Sequence, residues 1–308
     1  MSTNGPNMMS SLVQGVIPPL TYAAHKGQAG RIGIVGGSME YSGAPYYAAM
    51  TALRIGADLT HIFCSREAAL PIKSYSPELI VHPFLDATDP MSDIDEWLPR
   101  LHTLVLGPGL GRRPQTFATL GHIIEAAKDR QLLLVIDADA LFYLNDNYDT
   151  LQGYSNAILT PNKVEFARLY RAVMKTEMKA DVVTEEQVQQ LSNKLGVTIC
   201  CKGNTDIIAS GNTVITCDIP GSPRRCGGQG DVLSGAAAVF LYWAYGTAAA
   251  SQDKPQFPPP LVAAWGACAI TRRAANLAFN ARGRGTLTTD ILTAVPQAFS
   301  SLFMQQKK

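Results

Sequence analysis

The sequence predicts an α/β fold, a mostly parallel sheet with helices on both faces and an antiparallel edge. Three observations predict it. From Arg31 onwards, short apolar runs alternate with helix-like segments, the order expected of parallel strands joined by helical crossovers. Most runs are followed within two residues by Gly, Pro or Asp, the usual punctuation of a strand end. After Lys202 the order changes, because runs 206–209 and 213–217 flank Ser210-Gly211-Asn212 and read as a β-hairpin.

The parallel strands are read at 31–35, 59–64, 103–106, 132–136, 157–159 and 197–202. A helix begins near Pro45, whose fixed φ suits a first turn. The helix 185–195 opens with a capping box, Thr184 and Gln187, and stops at Gly196. Val232, Leu233, Ala236, Val239, Phe240 and Trp243 recur at mostly three- and four-residue spacing and predict a helix with one buried stripe. Residues 254–260, KPQFPPP, form a stiff loop between two buried helices. No internal repeat interrupts the order, and the chain is read as one domain, 1–308, with disorder left open at 1–10.

Composition narrows the function. Lys plus Arg number 26 and Asp plus Glu 25, so no global field recruits nucleic acid or an anionic membrane, and phosphate binding must come from local groups. The first 20 residues hold no Lys, no Arg and no sustained apolar run, which predicts a cytoplasmic protein. No uninterrupted apolar span of membrane length is read, since 261–281 is broken by Thr271, Arg272 and Arg273. Six cysteines lack any C-x-x-C pair and read as reduced thiols, and the five histidines form no ligand or triad pattern. Oligomeric state is not legible, and a homo-oligomer is left open.

The stretch 221–235, GSPRRCGGQGDVLSG, carries the chemistry. Gly227, Gly228 and Gly230 let the backbone approach a ligand, and the helix that follows offers unpaired N–H groups to an anion. Asp231 stands on its first turn, where those N–H groups favour the ionised form that takes a proton from a hydroxyl. The structural alternative is a helix cap after a plain turn.

Other strand ends supply partners. Gly33, Gly36, Gly37 and Ser38 either shape a substrate floor or simply turn the chain, and Gly107, Gly109 and Gly111 bracket Pro108 in a side-chain-poor loop. Asn162 and Glu165 share a helix face and can order a hydrated Mg²⁺, or can serve as N-cap and capping partner. Asp137 and Asp139 alternate, so only one faces a site if the strand continues. Lys202 ends its strand to meet either nucleotide phosphate or solvent. Cys226 is read as a packing residue.

Together, the segments HKGQAGRIGIVGGSMEYSGAPYYAA, VLGPGLGR, LTPNKVEFARL, CCKGNTD and GSPRRCGGQGDVLSG resemble the ATP-dependent (S)-NAD(P)H-hydrate dehydratase family of the ribokinase-like superfamily. RRCGGQGD resembles its ATP-using eukaryotic branch. The resemblance implies a three-layer α/β/α sandwich. It also implies a repair reaction on NADHX and NADPHX, in which water has added across the C5–C6 bond of the dihydropyridine ring. ATP would phosphorylate the 6-hydroxyl, and loss of phosphate would restore NADH or NADPH.

Asp231 matches the family's catalytic aspartate, in contact with the substrate. Gly109 and the run Asn162, Lys163, Val164, Glu165, Phe166, Ala167 and Arg168 match positions that bind the hydrated cofactor. Lys202, Gly203, Asn204, Thr205 and Asp206 match one ATP-binding segment. Gly221, Ser222, Pro223, Arg224, Arg225, Cys226, Gly227, Gly228, Gln229 and Gly230 match the ATP-binding turn and anion hole. Asn162 and Glu165 also resemble the superfamily's N-x-x-E element associated with Mg²⁺ and phosphate, with metal ligands left unassigned. The chain lacks the epimerase domain fused to some bacterial relatives, so an R-to-S epimerase is expected as a separate protein. A kinase of a small alcohol and a silent nucleotide-binding protein are the competing readings.

Overall fold

The computed structural model describes residues 6–251 and 253–304. Nine strands form one sheet: β1 (Arg31–Val35), β2 (Leu59–Phe63), β3 (Ile80–His82), β4 (Thr103–Leu106), β5 (Leu133–Ile136), β6 (Ala157–Leu159), β7 (Thr198–Cys201), β8 (Asp206–Ser210) and β9 (Thr213–Cys217). Their order is β3-β2-β1-β4-β5-β6-β7-β8-β9, with β1 to β7 parallel and the last two pairings, β7–β8 and β8–β9, antiparallel.

Helices cover both faces. On one lie α1 (Pro6–Val16), α2 (Gly43–Ile55) and α3 (Arg66–Tyr75). The opposite face carries α4 (Pro90–Trp97), α5 (Pro114–Asp129), α6 (Ala138–Asn147), α7 (Lys163–Met174) and α8 (Glu185–Leu195). The long helices α9 (Gln229–Ala250), α10 (Pro259–Arg282) and α11 (Thr288–Phe303) return to the first face. The strands feed both cores by alternation. Ile34, Val105, Val135, Ile158 and Cys200 enter the first, whereas Leu104, Leu106, Leu134, Ile136, Leu159 and Ile199 enter the second. A sheet buried on both faces has nearly continuous apolar strands, which is why these runs stand out in the sequence.

Four sequence expectations change. Within 1–10, Pro6 to Ser10 are helical, and Met9 is buried; residues 1–5 lie outside the described residues. The three-residue strand β3 was not expected, being too short for a periodicity. Pro259 and Pro260 open α10 instead of ending a loop, since a first turn tolerates a missing N–H. Finally, α9 is buried all round from Val232 to Leu241, not along one stripe, because α2, α10 and the sheet surround it. It is long and apolar enough to span a bilayer by length and composition, and burial of two-thirds of that span in the core accounts for its composition.

The chain winds outward from β1 to β3, then returns to place β4 on the other side of β1. That reversal opens a crevice beyond the strand carboxyl ends. There the loops after β1 and β4 press together: Gly37 N–H donates to the Gly109 carbonyl at 3.1 Å. A Cβ on Gly36 would sit 2.0 Å from the Pro108 carbonyl oxygen, so no larger residue fits.

Candidate active site

The first turn of α9 begins at Gly228, whose φ of +99° places it in the left-handed region that favours glycine. Val232 N–H makes the first bond of the helix, to the Gly228 carbonyl at 3.1 Å. The N–H groups of Gln229, Gly230 and Asp231 therefore precede the helical ladder and stand open to an anion. No side chain caps this end. Among the described residues, the Asp231 carboxylate accepts no hydrogen bond, so the capping alternative does not hold. Burial first, and then the Asp137 carboxylate, push the Asp231 pKa well above the usual carboxylate range, against the pull of Lys202. The sequence had favoured the ionised form through the helix dipole; desolvation outweighs it here.

Asp231 belongs to the walls of two cavities. The first, of about 1070 Å³, lies between α9, α10 and the ends of β5 to β7. Asp137 and Lys202 meet there, Nζ to Oδ1 at 2.9 Å. Burial alone would lower the Lys202 pKa, but Asp137 and Glu165 outweigh it and hold the ammonium charged. Glu165 faces the same cavity and is itself pushed up by burial. It also completes a capping box, accepting from Asn162 N–H at 2.8 Å, while Asn162 Oδ1 accepts from Val164 and Glu165 N–H. Cap and cavity wall are thus the same residues.

The second cavity, of about 960 Å³, lies over the β1–β4 crevice. Gly109, Gly111, Tyr41, Arg112 and Asp139 line it. Asp139 fixes that wall, accepting from Gly111 N–H at 3.0 Å and from Arg112 Nε at 2.8 Å. Ala138 lines both cavities and has a φ of +48°, uncommon for a residue with a Cβ. This turn sends Asp137 into the first cavity and Asp139 into the second. The sequence allowed only one of them a site because it extended the strand; the strand ends at Ile136.

The structure sorts the expected residues. Lys202, Gly203, Asn204, Asp206, Gly221, Ser222, Pro223, Arg225, Cys226, Gly228, Gln229 and Gly230 line the first cavity. Thr205, Arg224 and Gly227 do not; all three are exposed, and Gly227 serves instead through its carbonyl, which accepts from Thr288 Oγ1. The cofactor-binding set divides: Gly109 lines the second cavity, whereas Asn162, Lys163, Val164 and Glu165 line the first. Phe166 and Ala167 line neither. They are buried in the core because they lie on the apolar face of α7, and Arg168 on the polar face is exposed.

Sequence reasoning missed Arg272. Its Nε binds Asp206 Oδ2 at 2.6 Å, and its Nη2 and Nη1 donate to the Gly203 and Ile219 carbonyls at 2.9 and 3.3 Å. Asn276, one turn later, donates to the Gly221 carbonyl at 3.1 Å. These two side chains of α10 tie the loop after β7 to the entry of the glycine turn. The available signal was Arg272 and Asn276, two polar residues four apart and so on one face of a largely apolar helix.

Residues 32–297 match the family described as NAD(P)H-hydrate dehydratase. The chain is 50% identical over 303 residues to the ATP-dependent (S)-NAD(P)H-hydrate dehydratase of Rattus norvegicus, covering 98% of this chain and 88% of the relative. Among solved structures, a ribokinase-like superfamily protein from Enterococcus faecalis superposes with TM-score 0.79 at 22% identity, over 96% of this chain and 95% of that one. The ADP/ATP-dependent NAD(P)H-hydrate dehydratase of Bacillus subtilis, co-crystallised with ATP and Mg²⁺, superposes with TM-score 0.69 at 20% identity, over 95% and 97%. At such identities the two structures speak for the ribokinase-like fold alone.

Proposed function

We infer the reaction from one premise: the chain belongs to the NAD(P)H-hydrate dehydratase family. It is an ATP-dependent hydro-lyase that returns the S-epimer of hydrated NADH or NADPH to the reduced cofactor, with ADP and phosphate as products. The observation that carries this reading is the position of Asp231, a carboxylate in the wall of both cavities that accepts no hydrogen bond among the described residues. A group that links the pockets of two substrates suits transfer from one to the other.

ATP occupies the first cavity. Its terminal phosphate meets the open N–H groups of the α9 first turn, with Lys202 as the neighbouring cation. The hydrated cofactor enters the second cavity, with its 6-hydroxyl directed to Asp231. Asp231 removes the hydroxyl proton while the oxygen attacks the γ-phosphorus and ADP leaves. Because burial raises its pKa, its ionised form binds the abstracted proton more firmly than an exposed carboxylate would. Departure of phosphate from C6 and of a proton from C5 then restores the ring double bond.

Mg²⁺ suits this donor set as a phosphate-bound ion. Asp137 and Glu165 both face the first cavity, and no cluster of three or more metal-ligating side chains occurs among the described residues. Two carboxylates with triphosphate oxygens are its usual ligands. They would hold it, and it would neutralise phosphate charge. The R-epimer would need epimerisation to the S form before this reaction. Six free thiols suit a reducing, cytoplasmic setting.

The test is the return of dihydronicotinamide absorbance when the purified protein meets S-NADHX and Mg²⁺ with ATP, with ADP or without nucleotide. Recovery with ATP, matched by ADP and phosphate, supports the reading. A stable phosphorylated product would instead identify a kinase.

A further inference from the structure

Exposed apolar side chains that cluster at a cavity, unlike single ones scattered over a surface, mark ligand-binding grooves. Tyr41 and Met39 are 59% and 65% exposed, and both line the second cavity, which Asp231 also lines. The backbone beneath them is fixed. Tyr41 N–H donates to the Ser38 carbonyl at 3.1 Å, and Gly37 is held on both sides, by the Gly109 carbonyl and by Ser65 N–H, at 3.1 Å each. A Cβ on Gly109 would lie 2.5 Å from the Tyr41 carbonyl oxygen, so the loop after β4 runs directly against this turn. Tyr41 therefore rests on a rigid support. Yet, among the described residues, its ring packs on no other ring and its hydroxyl makes no hydrogen bond, whereas the rings of Tyr46, Tyr47 and Tyr75 pack on one another and the Tyr75 hydroxyl pairs with Ser42.

We propose that Tyr41 is the stacking platform for the adenine ring of the dinucleotide substrate. The inference rests on the dehydratase reading. The reacting ring must lie at Asp231, which leaves the adenosine end for the rest of the cavity. Adenine is also the fully flat group of this substrate, because addition of water has made C5 and C6 of the nicotinamide ring tetrahedral. A rigid, exposed phenol ring matches a planar base. The charges fit as well. Glu40, Glu67 and Asp86 line the cavity as acceptors for ribose hydroxyls, while Arg113, without an ion pair among the described residues, is available to the diphosphate.

The experiment compares wild type, Tyr41→Ala, Tyr41→Phe and Tyr41→Trp on S-NADHX and on the hydrated mononucleotide, which lacks the adenosine half. Tyr41→Ala is expected to raise KM for S-NADHX by about five- to a hundred-fold, the range of one base–aromatic stack. Its kcat and its affinity for ATP stay close to those of wild type, and Phe and Trp restore KM. With the mononucleotide, wild type and Tyr41→Ala share one KM. An unchanged KM for S-NADHX in Tyr41→Ala overturns the proposal, and so does an equal penalty on the mononucleotide. Those results leave the dehydratase standing, whereas a wild-type protein that never turns over S-NADHX overturns both.

Discussion

Replacing Arg272 by methionine keeps the volume of the side-chain stem and removes the guanidinium that joins the two ATP-facing segments. The Asp206 residue is 5% exposed, and the Arg272 side chain 13%. Without Arg272, the Asp206 carboxylate keeps the Gly203 N–H bond at 2.9 Å but has no cation. Breaking a buried pair by removing one partner costs about 3–5 kcal/mol. The residual exposure of Arg272 favours the lower end, about 3 kcal/mol. The Gly203 and Ile219 carbonyls also lose a donor, but both residues are only partly buried, so water replaces it at small cost. A loss of about 3 kcal/mol leaves a protein of ordinary stability folded, and urea unfolding measures it. Adding Asp206→Asn removes the stranded charge, and the double-mutant cycle should return a coupling of about 2 kcal/mol. Because the loop at 203–206 and the segment at 219–221 lose their common tie, kcat/KM for ATP should fall about ten- to a hundred-fold. A stability change under about 1 kcal/mol with intact ATP kinetics would refute the reasoning.

Other expectations concern α9. Asp231→Asn should retain ATP binding, measured by calorimetry, and lose about 10²- to 10⁴-fold in kcat; near-normal turnover would remove the base role. The acid limb of the kcat/KM profile of the wild type should lie above the ordinary carboxylate range, since burial and Asp137 raise the pKa of Asp231. The same shift acts on stability. The folded state holds this proton more tightly than the unfolded chain, so the contribution of Asp231 is present at low pH and is lost as pH rises through the raised value. Asp231→Asn should accordingly be more stable than wild type at neutral pH, a result that thermal unfolding at two pH values checks. Gly228→Ala would bring a Cβ within 2.9 Å of Thr288 Cγ2 and Tyr47 Cδ2 at a φ of +99°. It should cost about 1–3 kcal/mol and raise KM for ATP; unchanged kinetics would place the anion hole elsewhere.

The local parts of this protein were legible in its residues. Strand periodicity, the hairpin after Lys202, the capping boxes at Asn162 and Thr184 and the placing of Asp231 on the first turn of α9 each depend on residues within a few positions of one another. Where signals were short or ambiguous, they failed. β3 has three residues, and the apolar residues of α1, Met8, Met9, Leu12, Val13 and Val16, span barely three turns at the start of the chain. Phe166 and Ala167 were carried into the site with their segment, although α7 turns them into the core.

What only the tertiary structure decided is which strand ends become neighbours. Asp137 and Lys202 are 65 positions apart and Asp206 and Arg272 are 66 apart, yet each pair is within hydrogen-bond distance because of the strand order and the return of α10 across the first face. The division into two cavities with Asp231 between them has the same origin. Amino-acid pattern fixes backbone conformation and which face is buried, since both arise from local sterics and solvation. The site arises from closure of distant segments around one sheet, and no spacing along the chain records that distance.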